Sequence, residues 1–320
     1  MDRPAGFAII DAVGLFSVPA PPTRIPMRAA GFFVSGATTF DLPNCWPLYR
    51  GAYWTIVACG GRPQISLGVL DNWAMWRIDR NRASVDASGL SARVDLQQPD
   101  AGLVDVAWHG NPWCNSRLFQ VRQPLSSSGY ELLDAYVRGP DLVAVYRTPS
   151  NESLATQVYW RFIAYPDLDA AGVELIVSVQ TELLDDDPCL TVGSELPCSG
   201  ILQAIGPGTA GFARVSLPEG ATDEPCRCTG TGLFLYGLNA GRGSYLEMVH
   251  PADFFAGEFE RTPESSVLRS RFELFEERLE KGVLRRARSC GLLLGHTQEA
   301  EPTARECYRR WLASDAPLTT

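Results

Sequence analysis

Val173-Glu174-Leu175-Ile176-Val177-Ser178-Val179-Gln180 is the stretch that decides the fold. Val173, Leu175, Val177 and Val179 alternate with Glu174, Ser178 and Gln180, the period of two that turns successive side chains to opposite faces of a strand. Such a strand buries one face and wets the other. The alternation recurs on both sides of this stretch. Leu90, Ala92, Val94 and Leu96 are separated by Ser91, Arg93 and Asp95, and Val104, Val106 and Trp108 form another case. Val158, Trp160 and Phe162 repeat it, as do Leu268, Phe272 and Leu274 against Arg269, Arg271 and Glu273. Clusters of Gly, Pro, Asn and Asp between these segments supply the turns.

Two connections read as hairpins. Arg138-Gly139-Pro140-Asp141 separates Leu133–Val137 from Leu142–Tyr146. Glu280-Lys281-Gly282 separates Leu268–Leu279 from Val283–Cys290, so that Glu273, Glu276, Glu277 and Glu280 would face Arg285, Arg286 and Arg288 across a solvated ladder. One helix is expected. Ala304, Cys307, Tyr308, Trp311 and Leu312 fall on one helical stripe, with Pro302 suited to the first turn. Residues 1–50 carry Pro19, Pro21, Pro22 and Pro26 and read as an extended wrapping segment, leaving 51–320 as one large antiparallel β domain.

Composition excludes more than it supplies. The 320 residues are 45% hydrophobic with a net charge of −9, and Lys281 is the only lysine. An acidic chain without a basic run is a poor ligand for nucleic-acid phosphates or an anionic membrane. A P-loop is ruled out because no lysine follows a glycine, and no G-x-G-x-x-G, G-x-S-x-G or H-E-x-x-H occurs. Nine cysteines without an export signal read as reduced thiols in a cytoplasm. Cys226-Arg227-Cys228 lacks the second close pair of a structural zinc site and reads as a turn, and no metal or cofactor is expected. Asp167–Gly172 imitates the start of a calcium loop, but Ser178 stands where glutamate is needed, so it too reads as a turn.

Three histidines remain as candidate bases: His109, His250 and His296. His109 lies in Trp108-His109-Gly110-Asn111-Pro112-Trp113, where aromatic faces and amides at a strand end could furnish a sugar cleft or simply plug the sandwich edge. His250 and Glu247 point to opposite faces of a regular strand, and His296 reads as structural. Trp73 and Trp76, with Trp46, Trp54 and Tyr53 nearby in sequence, read as core ahead of a cleft wall.

Residues 85–300 resemble the galactose-mutarotase-like β-supersandwich. The likeness rests on Val173–Val179, the acidic turn Asp185-Asp186-Asp187-Pro188 and the following Leu190-Thr191-Val192-Gly193-Ser194-Glu195-Leu196-Pro197. The resemblance implies an all-β fold, a large antiparallel supersandwich closed by the C-terminal helix, and a carbohydrate ligand. Epimerases of that family use a histidine acid and a glutamate base. Glu195 stands where a family histidine would be, and Glu247 or Glu273 are the late-strand glutamates. The expected site has His109 and Glu195 as proton carriers, Trp108 and Trp113 stacking on a sugar, and Asn111 and Arg161 orienting its polar groups. The alternative is a non-enzymatic interaction module using a sheet face; oligomeric state is left open.

Overall fold

The computed structural model describes residues 52–59, 62–69, 76–122, 130–148, 151–188, 190–206, 211–217, 225–238, 243–261, 267–275, 277–295 and 299–315. The chain forms two compact units, Met1–Asp71 and Asn72–Thr320. In the first, β1 (Ala52–Cys59) pairs antiparallel with β2 (Arg62–Val69). The expectations for the N-terminal wrapping segment, Trp73 and His296 lie outside the described residues.

The second unit runs β3 (Arg77–Asp79), β4 (Arg82–Ala87), β5 (Leu90–Asp95), β6 (Leu103–Trp108), β7 (Asn111–Pro112), β8 (Arg117–Arg122), β9 (Glu131–Arg138) and β10 (Asp141–Thr148). It continues with β11 (Asn151–Tyr165), β12 (Ala170–Thr181), β13 (Leu190–Ala204), β14 (Phe212–Arg214), β15 (Cys226–Cys228) and β16 (Leu233–Leu238). β17 (Ser244–Val249), β18 (Gly257–Arg261), β19 (Val267–Leu274), β20 (Leu284–Leu294) and helix α1 (Ala300–Leu312) complete it. The described residues are all-β apart from α1 and short 3-10 turns. Among the described residues no helix is long and apolar enough to cross a membrane.

Two antiparallel layers enclose the core. One follows β3-β4-β5-β6, reaches β8 through Leu103 opposite Leu118, and continues through the first half of β13 to β19, β18 and β15. The second runs β9-β10-β11-β12-β20-β17-β16, then the last part of β13 and β14. β13 therefore serves both layers, turning from one to the other near Pro197 and Cys198. Val94, Phe119, Val192 and Phe272 from the first layer share a core with Trp160, Leu175, Tyr236 and Tyr245 from the second. Close approach is part of the design: a Cβ on Gly291 of β20 would lie 2.3 Å from the Tyr245 hydroxyl and 2.8 Å from the Phe119 ring.

The strand expected at Val173–Gln180 is β12, but of its supposedly wet face only Gln180 is exposed. Glu174 is 2% exposed and Ser178 3%. Part of the reason is α1, whose Ala304, Cys307, Tyr308 and Trp311 pack with Leu235, Leu246, Met248, Cys290 and Leu292 on the outer face of the second layer. This is the helical stripe expected from sequence. The first hairpin is present as β9–β10. The second is not: β19 pairs with β13 and β18, while β20 pairs with β12 and β17. The Glu280–Gly282 connection crosses between layers, because each strand completes a different sheet. The acidic and basic residues are consequently dispersed, with Arg271 on Glu258 and Glu273, Arg285 on Glu277, and Arg288 buried on Glu174. Cys226 and Cys228 lie on strand β15 rather than in a turn. Burial and the neighbouring Cys226 push the Cys228 thiol up to about 12.

Candidate functional site

The outer face of the second layer carries an open cavity of about 670 Å³ beside the first turn of α1. Its floor is bare because Gly200 of β13 stands opposite Gly237 of β16. Ser199 donates its hydroxyl to the Gly237 carbonyl at 3.1 Å. The Arg214 guanidinium lies across Gly200, where a Cβ would sit 3.2 Å from Nη2. From α1 come Glu301 and Arg305, the latter with its guanidinium carbon 5.8 Å from the centre of the Phe212 ring. Ser244 opens β17 on the same wall. The lining thus mixes guanidinium donors, hydroxyls, carboxylate acceptors and short apolar patches. None of these residues stood out in the sequence, since two isolated glycines on separate strands look like ordinary turn or strand glycines.

His109 sits at a turn with φ 48°, its ring held on both sides by local geometry. Gly89 (φ 84°) lies against one edge, where a Cβ would be 2.6 Å from Nδ1, and the Trp108 ring is 4.1 Å away. Nε2 is 2.9 Å from Oδ1 of Asp169. Asp169 ends a 3-10 turn over Pro166–Leu168 in the left-handed region, and its carbonyl accepts the Gly295 N–H at 2.9 Å. Both side chains are about half exposed, at 51% and 55%. The turn expected at Asp167–Gly172 therefore positions a carboxylate against the one histidine singled out at a strand end. Asn111 is exposed, with Nδ2 3.5 Å from the His109 carbonyl.

Trp108 and Trp113 are both core residues, 4% and 5% exposed, and Trp113 meets Tyr245 edge-on at 6.4 Å. Arg161 projects from the outer face of β11 and forks onto the buried Asp141, Nε to Oδ1 at 2.6 Å and Nη2 to Oδ2 at 2.9 Å. Glu195 belongs to the other layer, where its Oε1 accepts from Arg269 Nε at 2.8 Å and Arg122 Nη2 at 3.2 Å. Partial burial alone would raise its carboxyl, but Arg269 and Arg122 outweigh that and hold it below the usual carboxylate range. The structure therefore brings His109 together with Asp169 and Asn111. Among the described residues no hydrogen bond or ion pair joins His109 to Glu195.

Glu247 and His250 face opposite ways, as strand alternation requires. Glu247 enters the core, while the His250 ring is 6.0 Å from Trp311 of α1. Among the described residues no group of three or more His, Cys, Asp or Glu side chains could hold a metal ion.

No protein-family model and no curated protein matches the chain. Among solved structures it is similar to a protein of Klebsiella pneumoniae described as a "putative aldose 1-epimerase". Identity is 9%, the TM-score is 0.42, and the match covers 85% of this chain and 93% of that one.

Proposed function

We propose that the protein binds a carbohydrate or sugar derivative in the cavity between the outer sheet face and α1. The observation that carries this reading is the lining. Arg214 and Arg305 donate, Glu299 and Glu301 accept, the Ser244 hydroxyl can do either, and the Ser199 hydroxyl, whose proton is on the Gly237 carbonyl, can accept. Such a mixture matches a ring bearing several hydroxyls better than an apolar molecule, and the volume suits one small ligand. Calorimetric titration with neutral sugars, sugar acids and sugar phosphates tests this. Saturable binding of one class is expected, weakened about tenfold or more by Arg214→Ala. Heats indistinguishable from dilution for every class would end the proposal and favour an interaction module.

A second reading, catalysis, is favoured by the His109–Asp169 pair. A carboxylate on Nε2 fixes the tautomer that leaves Nδ1 as acceptor, the form a histidine base needs, so the Nδ1 edge would have to move off Gly89 to reach a substrate. In mutarotation the base takes the anomeric hydroxyl proton while an acid protonates the ring oxygen as the ring C–O bond breaks. Glu195, expected as the second proton carrier, is held ionised by Arg269 and Arg122 and is not that acid; the ring oxygen would take its proton from water, and His109 would return its own to the solvent. Polarimetry on freshly dissolved sugars tests the idea. Acceleration by the parent protein that His109→Ala abolishes is the expected result, and a parent no faster than buffer removes it.

A further inference from the structure

β9 is an edge strand. It pairs with β10 on one side and among the described residues forms no ladder on the other. Glu131, Leu133, Asp134, Tyr136, Val137 and Arg138 are exposed along it. Three are large apolar residues, with Leu133 49% exposed, Tyr136 38% and Val137 37%. An open edge of this kind offers a row of N–H and C=O groups to another strand.

The edge is complementary to itself. Ala144, Val145, Tyr146 and Arg147 of β10 face Ala135, Asp134, Leu132 and Glu131, so Leu133 is the extra residue of a bulge. A second β9, antiparallel about a twofold axis through Ala135 and keeping the same bulge, sets Asp134 against Tyr136, Leu132 against Val137 and Glu131 against Arg138. Each pair shares a face. Glu131, Asp134, Tyr136 and Arg138 lie with Arg147, Val145, Val143 and Asp141 on the outer side, and Leu132 and Val137 with Tyr146 and Leu142 on the inner. By symmetry each pair occurs twice, closing both ends of the ribbon with opposite charges. Arg147 already binds Glu131 through Oε2 alone, at 2.7 and 3.1 Å, which orients the carboxylate.

We infer that this edge takes a second copy of the chain, joining the second layers of the two copies into one continuous sheet across a twofold axis. The inference is independent of the ligand in the cavity. Sedimentation of the full-length protein tests it, with circular dichroism to establish that each variant is folded. The parent is expected to form a concentration-dependent dimer. R138E and E131R each place like charges at both ends and should weaken self-association about tenfold or more. An equimolar mixture of the two variants should recover the dimer, because glutamate then meets arginine at both ends; loss of fold could not produce that recovery. A parent that is monomeric at every concentration, a dimer that neither variant weakens, or a mixture that stays monomeric would each overturn it.

Discussion

Glu174 and Glu247 are two buried carboxylates on one sheet, separated by β20 and facing opposite ways. Glu174 points outward beneath α1. Its Oε1 accepts from Arg288 Nε at 2.8 Å and Trp311 Nε1 at 2.9 Å, and the Arg288 guanidinium lies 5.3 Å from the centre of the Trp311 ring. Glu247 points into the core and is held by hydroxyls. Ser194 donates to Oε1 at 2.6 Å and Ser270 to Oε2 at 2.8 Å, and the Tyr236 hydroxyl also donates to Oε2. Both are almost wholly buried, but the first has a cation and the second has only neutral donors. Burial accordingly raises the Glu247 carboxyl above its ordinary value, an effect the hydroxyl donors reduce without cancelling. The same burial, together with Glu247, pushes the Tyr236 and Tyr245 hydroxyls well above their ordinary value. The contrast separates two ways of keeping a carboxylate inside a protein: one ties a helix to a sheet, the other leaves a proton-sensitive group in the core.

Removing the cation should have the largest effect. Arg288→Met strands Glu174 under α1 and is expected to cost about 3–5 kcal/mol in urea unfolding. Adding Glu174→Gln, which keeps an acceptor for Trp311, should recover more than half of that loss. If the single and double variants were equally destabilised, the cost would come from lost packing of the arginine stem rather than from an unpaired charge.

The inward carboxylate should respond to pH instead. Glu247→Leu leaves the Ser194, Ser270 and Tyr236 hydroxyls without their acceptor and is expected to cost about 2–4 kcal/mol. Between the ordinary glutamate value of 4.5 and its raised native value, the folded protein keeps a proton that the unfolded chain has released. The contribution of Glu247 to stability therefore falls as pH rises through that window and is level above it. Unfolding free energies of the parent and Glu247→Gln, measured across this range, should diverge in that direction. Parallel curves would show that Glu247 does not titrate differently in the fold.

The two carboxylates also show what was legible in the sequence. Alternation in Val173–Gln180 places Glu174 opposite Leu175, and alternation in Tyr245–Val249 places Glu247 opposite Met248; both assignments of face are correct. Alternation identifies a face but not what covers it. Glu174 meets Arg288 across 114 positions and Trp311 across 137, separations at which no local pattern carries information. The helix stripe announced a covering element without saying which strands lay under it. The charge-rich segment around Glu280 misled for a related reason, because short connections imply local pairing and this one changes layers. At the candidate site, the isolated His109 drew notice, whereas its partner Asp169 looked like a turn residue. The cavity residues come from four strands and a helix and had no shared signature at all.

An exposed pair gives the smallest expected effect and the sharpest use of the comparison. His109 and Asp169 are joined at 2.9 Å, as short as the bonds within the Glu174 cluster, but both are about half exposed. Water already solvates each partner, so breaking the contact strands neither. Asp169→Asn is the appropriate change. Asparagine tolerates the left-handed backbone that Asp169 adopts at φ 46°, and the carbonyl bonded to Gly295 is untouched. Unfolding free energy should shift by less than about 1 kcal/mol, against the several expected for Arg288→Met. A larger loss would mean that the turn, not the ion pair, depends on the carboxylate. If His109 is a working base, the same substitution should depress mutarotation far more than it depresses stability, because a tautomer is then left unfixed while the fold is intact. A protein in which both fall together would place His109 among the structural residues of the strand end.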